Sequence, residues 1–396
     1  MIVAFDTWTL ANQLRNSGIH RYSVTILNQL TELMQSQDLI ALRAFSCDGY
    51  SDTLGGLKSS PQCEIISAPA LRLHRSWKLA GLSFAAYRAR ADLIFSPSFY
   101  VCPWGPVPVV ATIHDVTPIT SPAFHGRRNL IDRAFLWNAA KLSRKCIADS
   151  VCTKNDLVGT YDLPPEKVSV VYLGYDKDRF NRVALDKKRH DLLCRRYGIQ
   201  PPYILHHGTI QPRKNLERLI QAYRLCRQRR RKCEMSLVLA GPLGWDYERV
   251  TKMAAEGDTG DRIVLTGPLA EDELPLLVKG AAACAIPSLY EGFCLPMIEA
   301  MACGVPTVVS GTSCLPEVSG GVLQYFDPLS IEDIADKLEK VLYNDSIRAE
   351  LTSNGSRRAS EFSWERCARE TLELLVGVYE QLAGQARERS TPVRTI

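Results

Sequence analysis

The sequence predicts an α/β protein made of two doubly wound domains, each built on a parallel sheet. Short apolar runs rich in β-branched residues alternate with longer amphipathic stretches along the whole chain. This alternation is typical of parallel strands that are buried on both faces and connected by helices. It stops over the charged residues 175–202 and then starts again. Two successive series of strands and helices are therefore joined by a polar segment.

The apolar runs give the predicted strands in order. Before the polar segment they are residues 2–5, 40–46, 92–96, 107–114, 145–150 and 168–174. After it they are residues 203–209, 235–241, 261–267, 283–288, 305–310 and 321–326. Helical periodicity fills the gaps, as over residues 18–35, and a long amphipathic helix is predicted from about Ser363.

These elements predict the domain boundaries. Residues 1–180 form an N-terminal Rossmann-like domain, residues 181–202 a linker, and residues 203–362 a C-terminal Rossmann-like domain. Residues 363–396 are expected to form a helix that packs back on the N-terminal domain and ends in a frayed tail. Two such domains facing each other make a central cleft. Ligands of these sheets bind outside the carboxyl ends of the strands, so residues that directly follow strands are the functional candidates.

Composition excludes several classes of protein. Lys and Arg number 48 against 43 Asp and Glu, a net charge of +5, which lacks the strong, clustered excess of nucleic-acid-binding proteins. The 13 cysteines contain no C-x-x-C pair and mostly lie in apolar runs, as expected for small buried residues in a reducing compartment. There is no basic-then-apolar leader and no uninterrupted apolar run near the ~18 residues of a membrane span. We therefore expect a cytoplasmic protein.

The stretch HHGTIQPRKNLERLIQAY, residues 206–223, predicts a diphosphate site. A strand ends at His207, a Gly-Thr turn follows, and Arg213 and Lys214 open a helix. A helix N-terminus presents free N–H groups and a partial positive charge, and the two cations strengthen it as an anion site. The alternative is a solvated basic helix start. Because His206 and His207 end a buried strand, at least one of them is expected to be structural.

A second stretch, residues 287–310, carries two carboxylates in apolar surroundings. Glu291 falls in the turn between a strand and a helix. Glu299 lies on the following helix, about 80° beyond two full turns from Glu291. Both can line one cleft, one at its mouth and one along the helix. The alternatives are a helix N-terminal acid for Glu291 and a solvated helix face for Glu299, although the neighbours of Glu299 are apolar.

Taken together, the motifs resemble glycosyltransferase family 4, the large retaining group with the GT-B fold. Residues 291–310 resemble its Glu-x7-Glu signature, and residues 207–223 resemble its Gly-Thr-x-x-Pro-Arg-Lys-Asn variant. Three further matches follow the family's order: the N-terminal loop at 16–27, the histidine-containing loop at 111–119, and the inter-domain stretch at 170–180. The resemblance covers nearly the whole chain.

The resemblance implies a role for each polar residue. Glu299 would accept hydrogen bonds from the ribose hydroxyls of a nucleotide, since a carboxylate is an acceptor-only group. Glu291 would contact hydroxyls of the donor sugar. Arg213 and Lys214 would hold the diphosphate and stabilise it as it leaves. His114 would sit beside the sugar at the reaction centre.

Other roles implied by the resemblance belong to the main chain. The backbone of Phe293, Cys294 and Leu295 would approach the sugar and phosphates. Gly18 would let the backbone approach the diphosphate from the opposite domain, and Leu269 would lie near the base. Cys294 stands where the family more often has glycine, and its side chain is tolerated there if φ is negative.

No metal and no other cofactor is expected, because two cations and a helix dipole offset the charge that develops on the leaving group. The co-substrate implied is a nucleoside diphosphate sugar, and the leaving diphosphate is implied to help deprotonate the acceptor. Residues 176–178, Asp-Lys-Asp, are expected to form a turn rather than a metal site.

Two basic stretches of the sequence are relevant to binding of a membrane or of nucleic acid. Residues 71–92 mix Arg and Lys with aromatic residues, a composition that can lie on an anionic membrane surface. The alternative is an ordinary amphipathic helix that covers the sheet. Residues 227–232, RQRRRK, read as the solvated end of a helix. Because no aromatic stacking positions accompany them, no nucleic-acid partner is expected.

The resulting hypothesis is a retaining glycosyltransferase that moves a sugar from a nucleoside diphosphate sugar to a hydroxyl of a glycan or lipid-linked oligosaccharide. The motifs IHDVTPI and GTIQPRKN resemble those of bacterial mannosyl- and rhamnosyltransferases of surface-polysaccharide assembly, so GDP-mannose is the first candidate donor. The alternatives are another donor with a small soluble acceptor, an epimerase, or a non-catalytic GT-B scaffold subunit. A dinucleotide-dependent oxidoreductase is disfavoured, since no G-x-G-x-x-G follows the first strand.

Overall fold

The chain forms two compact units, each with one parallel sheet. The structure, a computed structural model, describes residues 1–10, 18–35, 40–46, 63–67, 81–101, 105–121, 129–229, 235–256 and 261–390. Unit 1 comprises Met1–Gly174 and Trp364–Ile396, and unit 2 comprises Tyr175–Ser363. The sheets have seven and six strands. The predicted α/β class with two parallel sheets is confirmed.

Unit 1 is built on the seven-stranded sheet. Its strands are β1 (Ile2–Asp6), β2 (Ala41–Ser46), β3 (Cys63–Ser67), β4 (Leu93–Ser96), β5 (Val109–Ile113), β6 (Lys145–Ala148) and β7 (Val168–Val170). They lie in the order β3-β2-β1-β4-β5-β6-β7, and all neighbours are parallel. Residues of β4 and β5 are buried on both faces, which explains their continuous apolar sequences. The sequence did not predict β3, a short edge strand that carries the exposed Glu64.

The helices of unit 1 cover this sheet. They are Gly18–Gln35, Leu82–Arg88, Thr117–Thr120, Asn129–Leu142, Val151–Tyr161 and Trp364–Ser390, with 3-10 turns at Trp8–Leu10 and Pro165–Lys167. The first helix has the bounds that the periodicity predicts. The last helix packs against it, and the rings of Tyr22 and Trp364 lie 6.2 Å apart. The C-terminal helix therefore belongs to unit 1, although it follows unit 2 in the chain.

Unit 2 is built on the six-stranded sheet. Its strands are β8 (Tyr203–His207), β9 (Ser236–Ala240), β10 (Ile263–Gly267), β11 (Ala283–Ile286), β12 (Thr307–Ser310) and β13 (Gln324–Phe326). Its helices are Lys187–Tyr197, Leu216–Arg229, Glu248–Ala255, Glu273–Lys279, Leu295–Ala302, Leu315–Ser319, Ile331–Tyr343 and Asp345–Ala359, with a 3-10 turn at Pro212–Lys214. The order is β10-β9-β8-β11-β12-β13. The strand order thus reverses between β8 and β11, and such a switch point is where ligands of parallel sheets bind.

The polar segment between the two predicted domains is ordered as part of unit 2. The sequence places the first domain boundary at residue 180, whereas contacts divide the chain between Gly174 and Tyr175. Residues 181–202 contain the helix Lys187–Tyr197, whose first turn is capped by the Asp186 side chain. The Asp-Lys-Asp run at 176–178 forms a turn, in which Asp176 Oδ1 accepts hydrogen bonds from two following main-chain N–H groups.

Across the ranges that the structure describes, no helix combines the length and apolarity needed to cross a membrane.

Candidate functional site

The predicted diphosphate site lies at the carboxyl end of β8. After this strand the chain turns at Gly208, whose φ of 140° favours glycine. Arg213 and Lys214 lie on the 3-10 turn, and Asn215 follows in the left-handed region with φ 56°. The α-helix begins only at Leu216. The prediction that the two cations open a helix is therefore wrong in this detail: they precede the helix, because the chain reverses at Asn215.

Asn215 shows why the chain turns here. Its side-chain Nδ2 donates to the carbonyl oxygens of Pro287 and Pro328, at 3.0 and 2.7 Å. Asparagine tolerates the left-handed region better than most residues, and these two bonds fix the conformation. The 3-10 turn is thereby tied to the segment that follows β11.

Both cations bind Glu291, which follows β11. Lys214 Nζ donates to Glu291 Oε1 at 2.5 Å, and Arg213 Nη1 donates to Oε2 at 2.6 Å. Ser288 Oγ also donates to Oε1 at 2.6 Å. The Glu291 and Lys214 side chains are only 5% and 7% exposed, whereas that of Arg213 is 19% exposed. The interpretation of Arg213 and Lys214 as a solvated basic helix start is therefore wrong.

The charge of Glu291 follows from this cluster. Burial raises the pKa of its carboxyl, but the charges of Arg213 and Lys214 outweigh burial, and the pKa falls to about 2. Glu291 is thus ionised at neutral pH and compensated by both cations. The residues predicted to hold the donor's diphosphate and its sugar are in direct contact with one another.

Glu299 lies on the helix Leu295–Ala302 and is also buried. Its Oε2 accepts a hydrogen bond of 3.0 Å from His207 Nε2, and the two side chains are each 3% exposed. The alternative interpretation of Glu299 as part of a solvated helix face is wrong. Its predicted role towards a ribose is not decided by this contact and stays a prediction.

The second histidine of β8, His206, is a structural residue. Its side chain is buried, and Nδ1 contacts the carbonyl oxygen of Ala285 on β11 at 3.0 Å. Burial lowers the pKa of His206 to about 3, and the nearby charge of Lys214 acts in the same direction. His206 is therefore neutral, and it confirms the expectation that at least one of the two histidines is structural.

The backbone predicted to approach sugar and phosphates contains a strained residue. Cys294 has φ 75° and ψ 70°, and it precedes the helix as an N-cap without a side-chain cap bond. The condition under which its side chain is readily tolerated, a negative φ, is not met, because the tight turn from Glu291 into the helix places this residue in the left-handed region. Burial raises the pKa of the Cys294 thiol to about 12, so it stays protonated. Beside it, the Phe293 ring packs edge-on against Phe362, and Leu295 is buried.

Leu269, predicted to lie near the base, follows β10, two positions from β8 in the sheet. Its loop is held by Glu273, whose Oε2 accepts from Ala270 N at 3.0 Å. Arg196 and Tyr197 bind the same carboxylate at 2.6 and 3.0 Å. The loop after β10 is therefore fixed by the helix that contains Arg196.

In unit 1 the predicted residue His114 directly follows β5. Its Nδ1 lies 2.6 Å from Asp149 Oδ2, and its Nε2 lies 3.0 Å from the Pro97 carbonyl oxygen. Burial lowers the pKa of His114, but the charge of Asp149 and these hydrogen bonds outweigh burial, so the pKa is raised. With an acceptor at each nitrogen, the ring is arranged to carry both protons. Asp149 was not among the residues predicted from the sequence. It directly follows β6, and residues in such positions are functional candidates.

Gly18 is the first residue of the helix Gly18–Gln35. A Cβ placed on it would meet no heavy atom of the described residues within 4 Å, so packing against that part of the chain does not require glycine here. The predicted reason, close approach of a diphosphate, stays a prediction. Residues 16 and 17 of the same predicted loop lie outside the described residues.

The predicted site residues divide between the two units. Gly18 and His114 belong to unit 1, and the others belong to unit 2. The structure brings Arg213, Lys214 and Glu291 into direct contact. Among the residues that it describes, no group of three or more His, Cys, Asp or Glu side chains is arranged to hold a metal ion.

Fold and motifs together define a glycosyltransferase. The family described as Glycosyltransferase Family 4 matches residues 9–179, and the family described as Glycosyl transferases group 1 matches residues 196–358. The chain belongs to these glycosyltransferases, and the resemblance seen in its motifs is confirmed.

Individual relatives agree with this assignment. O-antigen chain mannosyltransferase B of Escherichia coli is 28% identical, over 90% of this chain and 95% of its own length. D-inositol 3-phosphate glycosyltransferase of Salinispora arenicola is 30% identical, over 73% of this chain and 67% of its own length. Among solved structures, Anabaena HepE in complex with UDP-glucose gives a TM-score of 0.71 at 19% identity, covering 95% of this chain and all of that chain. This likeness confirms the GT-B fold.

Proposed function

We propose that this chain is a retaining glycosyltransferase that uses a nucleoside diphosphate sugar and transfers the sugar to a hydroxyl of a glycan or a lipid-linked oligosaccharide. The observation that carries the proposal is the cluster of Arg213, Lys214 and Glu291 at the switch point of unit 2. Two adjacent cations at the carboxyl end of a parallel strand suit a diphosphate.

The cluster supports a specific mode of donor binding. Glu291 keeps both cations oriented before the donor arrives, and the diphosphate then becomes their second anionic partner. Arg213 is the more exposed cation, so it meets the diphosphate first. Glu291 in turn accepts hydrogen bonds from hydroxyls of the donor sugar, and Glu299 accepts them from the ribose.

The proposed reaction needs no nucleophile from the protein. The bond between the anomeric carbon and the diphosphate oxygen breaks, and the electron pair stays on the diphosphate. The acceptor oxygen bonds to the anomeric carbon on the same face, and its proton passes to the leaving diphosphate. Arg213 and Lys214 stabilise the negative charge that develops on the leaving group, in a largely buried setting where such interactions are strong. The role predicted for His114, beside the transferred sugar, stays a prediction.

Mannose is the first candidate for the transferred sugar, with GDP-mannose as donor. The proposal is supported by the E. coli relative, whose name describes an O-antigen chain mannosyltransferase. A different donor with a small soluble acceptor is the second candidate, and the name of the Salinispora relative supports it. A non-catalytic scaffold is disfavoured, because such a subunit has no need of Arg213, Lys214, Glu291 and Glu299 together.

Contact with an anionic membrane is a separate part of the proposal. Of the basic stretch 71–92, residues 71–80 lie outside the described residues. The helix Leu82–Arg88 exposes Phe84 and Tyr87 by 57% and 61%. We expect the protein to sediment with anionic vesicles and to do so less after Phe84→Ser. Equal sedimentation with neutral vesicles would contradict this contact.

A panel of ligands tests the donor class. Thermal unfolding is followed with GDP, UDP, dTDP and ADP, with their common sugars, and with NAD. A ligand at ~100 times its Kd adds ~2.7 kcal/mol to stability, and we expect a shift with one nucleoside diphosphate and with its sugar. A shift with NAD alone, or with none of these ligands, would contradict the proposal.

A further inference from the structure

His207 is the last residue of β8, and its side chain reaches the helix Leu295–Ala302. Its Nε2 lies 3.0 Å from Glu299 Oε2, and both side chains are 3% exposed. The contact joins residues that are 92 positions apart in the chain. A strand end and a helix are thereby linked through one buried hydrogen bond.

The chemistry of this contact sets the direction of the bond. An ionised carboxylate only accepts hydrogen bonds, so His207 Nε2–H donates to Glu299. The other ring nitrogen, Nδ1, is buried and has no hydrogen-bond partner among the described residues. A buried N–H without an acceptor is more costly than a buried lone pair on a neutral ring. The neutral tautomer with its proton on Nε2 therefore fits the site.

The neighbouring histidine behaves differently. His206 lies on the same strand, is equally buried, and bonds through Nδ1 to the main-chain carbonyl oxygen of Ala285. Its partner is part of the sheet and has no predicted contact with a ligand. The partner of His207 is the carboxylate to which the proposed function assigns the ribose. The two histidines thus form a matched pair in which only one bonds a proposed ligand-binding group.

We propose that His207 is a positioning residue for recognition of the ribose. Its Nε2–H fixes one oxygen of Glu299, and this sets the plane in which the carboxylate meets the vicinal hydroxyls of the nucleotide. Two hydrogen bonds from a diol require a defined orientation of the carboxylate, and each additional hydrogen bond to the carboxylate narrows the orientations that it can adopt. This inference rests on the proposed function, because it assumes that Glu299 binds the ribose.

If His207 positions Glu299, replacing His207 should reduce the preference for a ribonucleotide over its 2′-deoxy analogue, rather than weaken the binding of both equally. The nucleoside diphosphate that stabilises the wild-type protein is compared with its 2′-deoxy analogue by calorimetry. We expect the wild type to prefer the ribose form by about tenfold or more, as for loss of one hydrogen bond to a charged group. Glu299→Ala should abolish the preference, and His207→Phe should reduce it to about twofold or less.

Two further variants separate positioning from packing. His207→Gln keeps an N–H donor and should restore part of the preference, whereas a role in packing alone predicts no such rescue. His206→Phe removes an equally buried histidine from the same strand. It can lower the stability and the affinity for both nucleotides, but the ratio of the two Kd values should stay at the wild-type level.

The possible outcomes distinguish the positioning role of His207 from the ribose-binding role of Glu299, on which it rests. A wild type and a Glu299→Ala variant that both bind the two nucleotides equally would remove the ribose role of Glu299. If Glu299→Ala loses the preference while His207→Phe keeps it, the role of Glu299 stands and the positioning role of His207 is overturned.

A second measurement covers the case in which His207→Phe does not fold. In wild-type protein with 15N-labelled histidine, the His207 Nε2 signal, assigned with His207→Gln, should shift on adding the nucleoside diphosphate and should shift less with the 2′-deoxy analogue. Equal shifts with both nucleotides would overturn the inference.

Discussion

Replacing Glu291 by glutamine tests the ionic cluster that organises the proposed donor site. Glu291→Gln keeps the size of the side chain but removes its charge. Lys214 and Arg213 then lose the carboxylate that lies 2.5 and 2.6 Å away. Because the Lys214 side chain is only 7% exposed, water cannot fully replace that partner. The variant leaves a buried ammonium group without its counter-charge.

The magnitude follows from two independent routes. Removing one partner of a buried ion pair typically destabilises a protein by about 3–5 kcal/mol. The pKa of Glu291 is lowered from 4.5 to about 2, and each unit of pKa corresponds to ~1.4 kcal/mol, which gives about 3–4 kcal/mol. The two routes agree in size, so we expect Glu291→Gln to lower the free energy of unfolding by about 3 kcal/mol at neutral pH.

The same pKa predicts a pH dependence with a definite sign. A carboxyl whose folded pKa is lowered contributes stability that is complete above its unfolded pKa and is lost as pH falls through its folded pKa. For Glu291 that window runs from pH 4.5 down to about 2. The stability difference between wild type and Glu291→Gln should therefore shrink across this window.

Urea unfolding from pH 7 to pH 2 measures both effects. Glu271 provides the control, because it pairs with Arg179 at 3.7 Å but is 89% exposed. Glu271→Gln should change stability by no more than about 0.5 kcal/mol. The reasoning would be refuted if Glu291→Gln cost less than about 1 kcal/mol at neutral pH, or if its difference from wild type did not change with acid.

Three further predictions address catalysis and backbone strain. Lys214→Ala should lower kcat by about 10²–10³ and affect KM less, since Lys214 stabilises charge on the leaving group; a change confined to KM in steady-state assays would contradict this role. Cys294→Gly should be more stable than Cys294→Ala by about 1 kcal/mol in urea unfolding, because φ is 75° and left-handed backbone disfavours a Cβ; the opposite order would show that the turn is not strained. Activity should survive EDTA, because Arg213 and Lys214 are proposed to supply the positive charge; loss of activity that Mg²⁺ restores would show that the reaction needs a metal.

All strands except β3 were predicted from apolar runs in the sequence, and burial on two faces explains the unbroken runs of strands such as β4 and β5. Residues of β5, for example, are buried throughout and were predicted as a strand. The edge strand β3 was not readable. Its exposed Glu64 interrupts the apolar pattern, so periodicity does not distinguish it from a loop.

The sequence identified the charged residues of the candidate site, but it did not show which of them contact one another. Arg213, Lys214 and Glu291 stand out because charge is unusual beside apolar strands. Their contacts join residues 78 and 77 positions apart. These contacts depend on β8 and β11 being neighbours, which is a property of the strand order in the sheet. The bond between His207 and Glu299 depends on where the helix Leu295–Ala302 lies relative to the end of β8, and the sequence carries no local signal for that.

Local backbone geometry was the least predictable feature. Two residues adopt left-handed backbone conformations. Asn215 ends the 3-10 turn that carries Arg213 and Lys214, and Cys294 directly precedes the helix Leu295–Ala302. Asparagine is a recognisable candidate for such a position, whereas cysteine is not. The sequence therefore predicted a helix start at Arg213, which the structure corrects, and it did not predict the positive φ of Cys294.

The configuration of the newly formed linkage tests the central claim most directly. The protein is incubated with the nucleoside diphosphate sugar that stabilises it and with a panel of glycan acceptors, and the anomeric configuration of the product is read by NMR. Retaining transfer predicts release of the nucleoside diphosphate and a product with the anomeric configuration of the donor. A product of inverted configuration, or no transfer from any donor, would contradict the account.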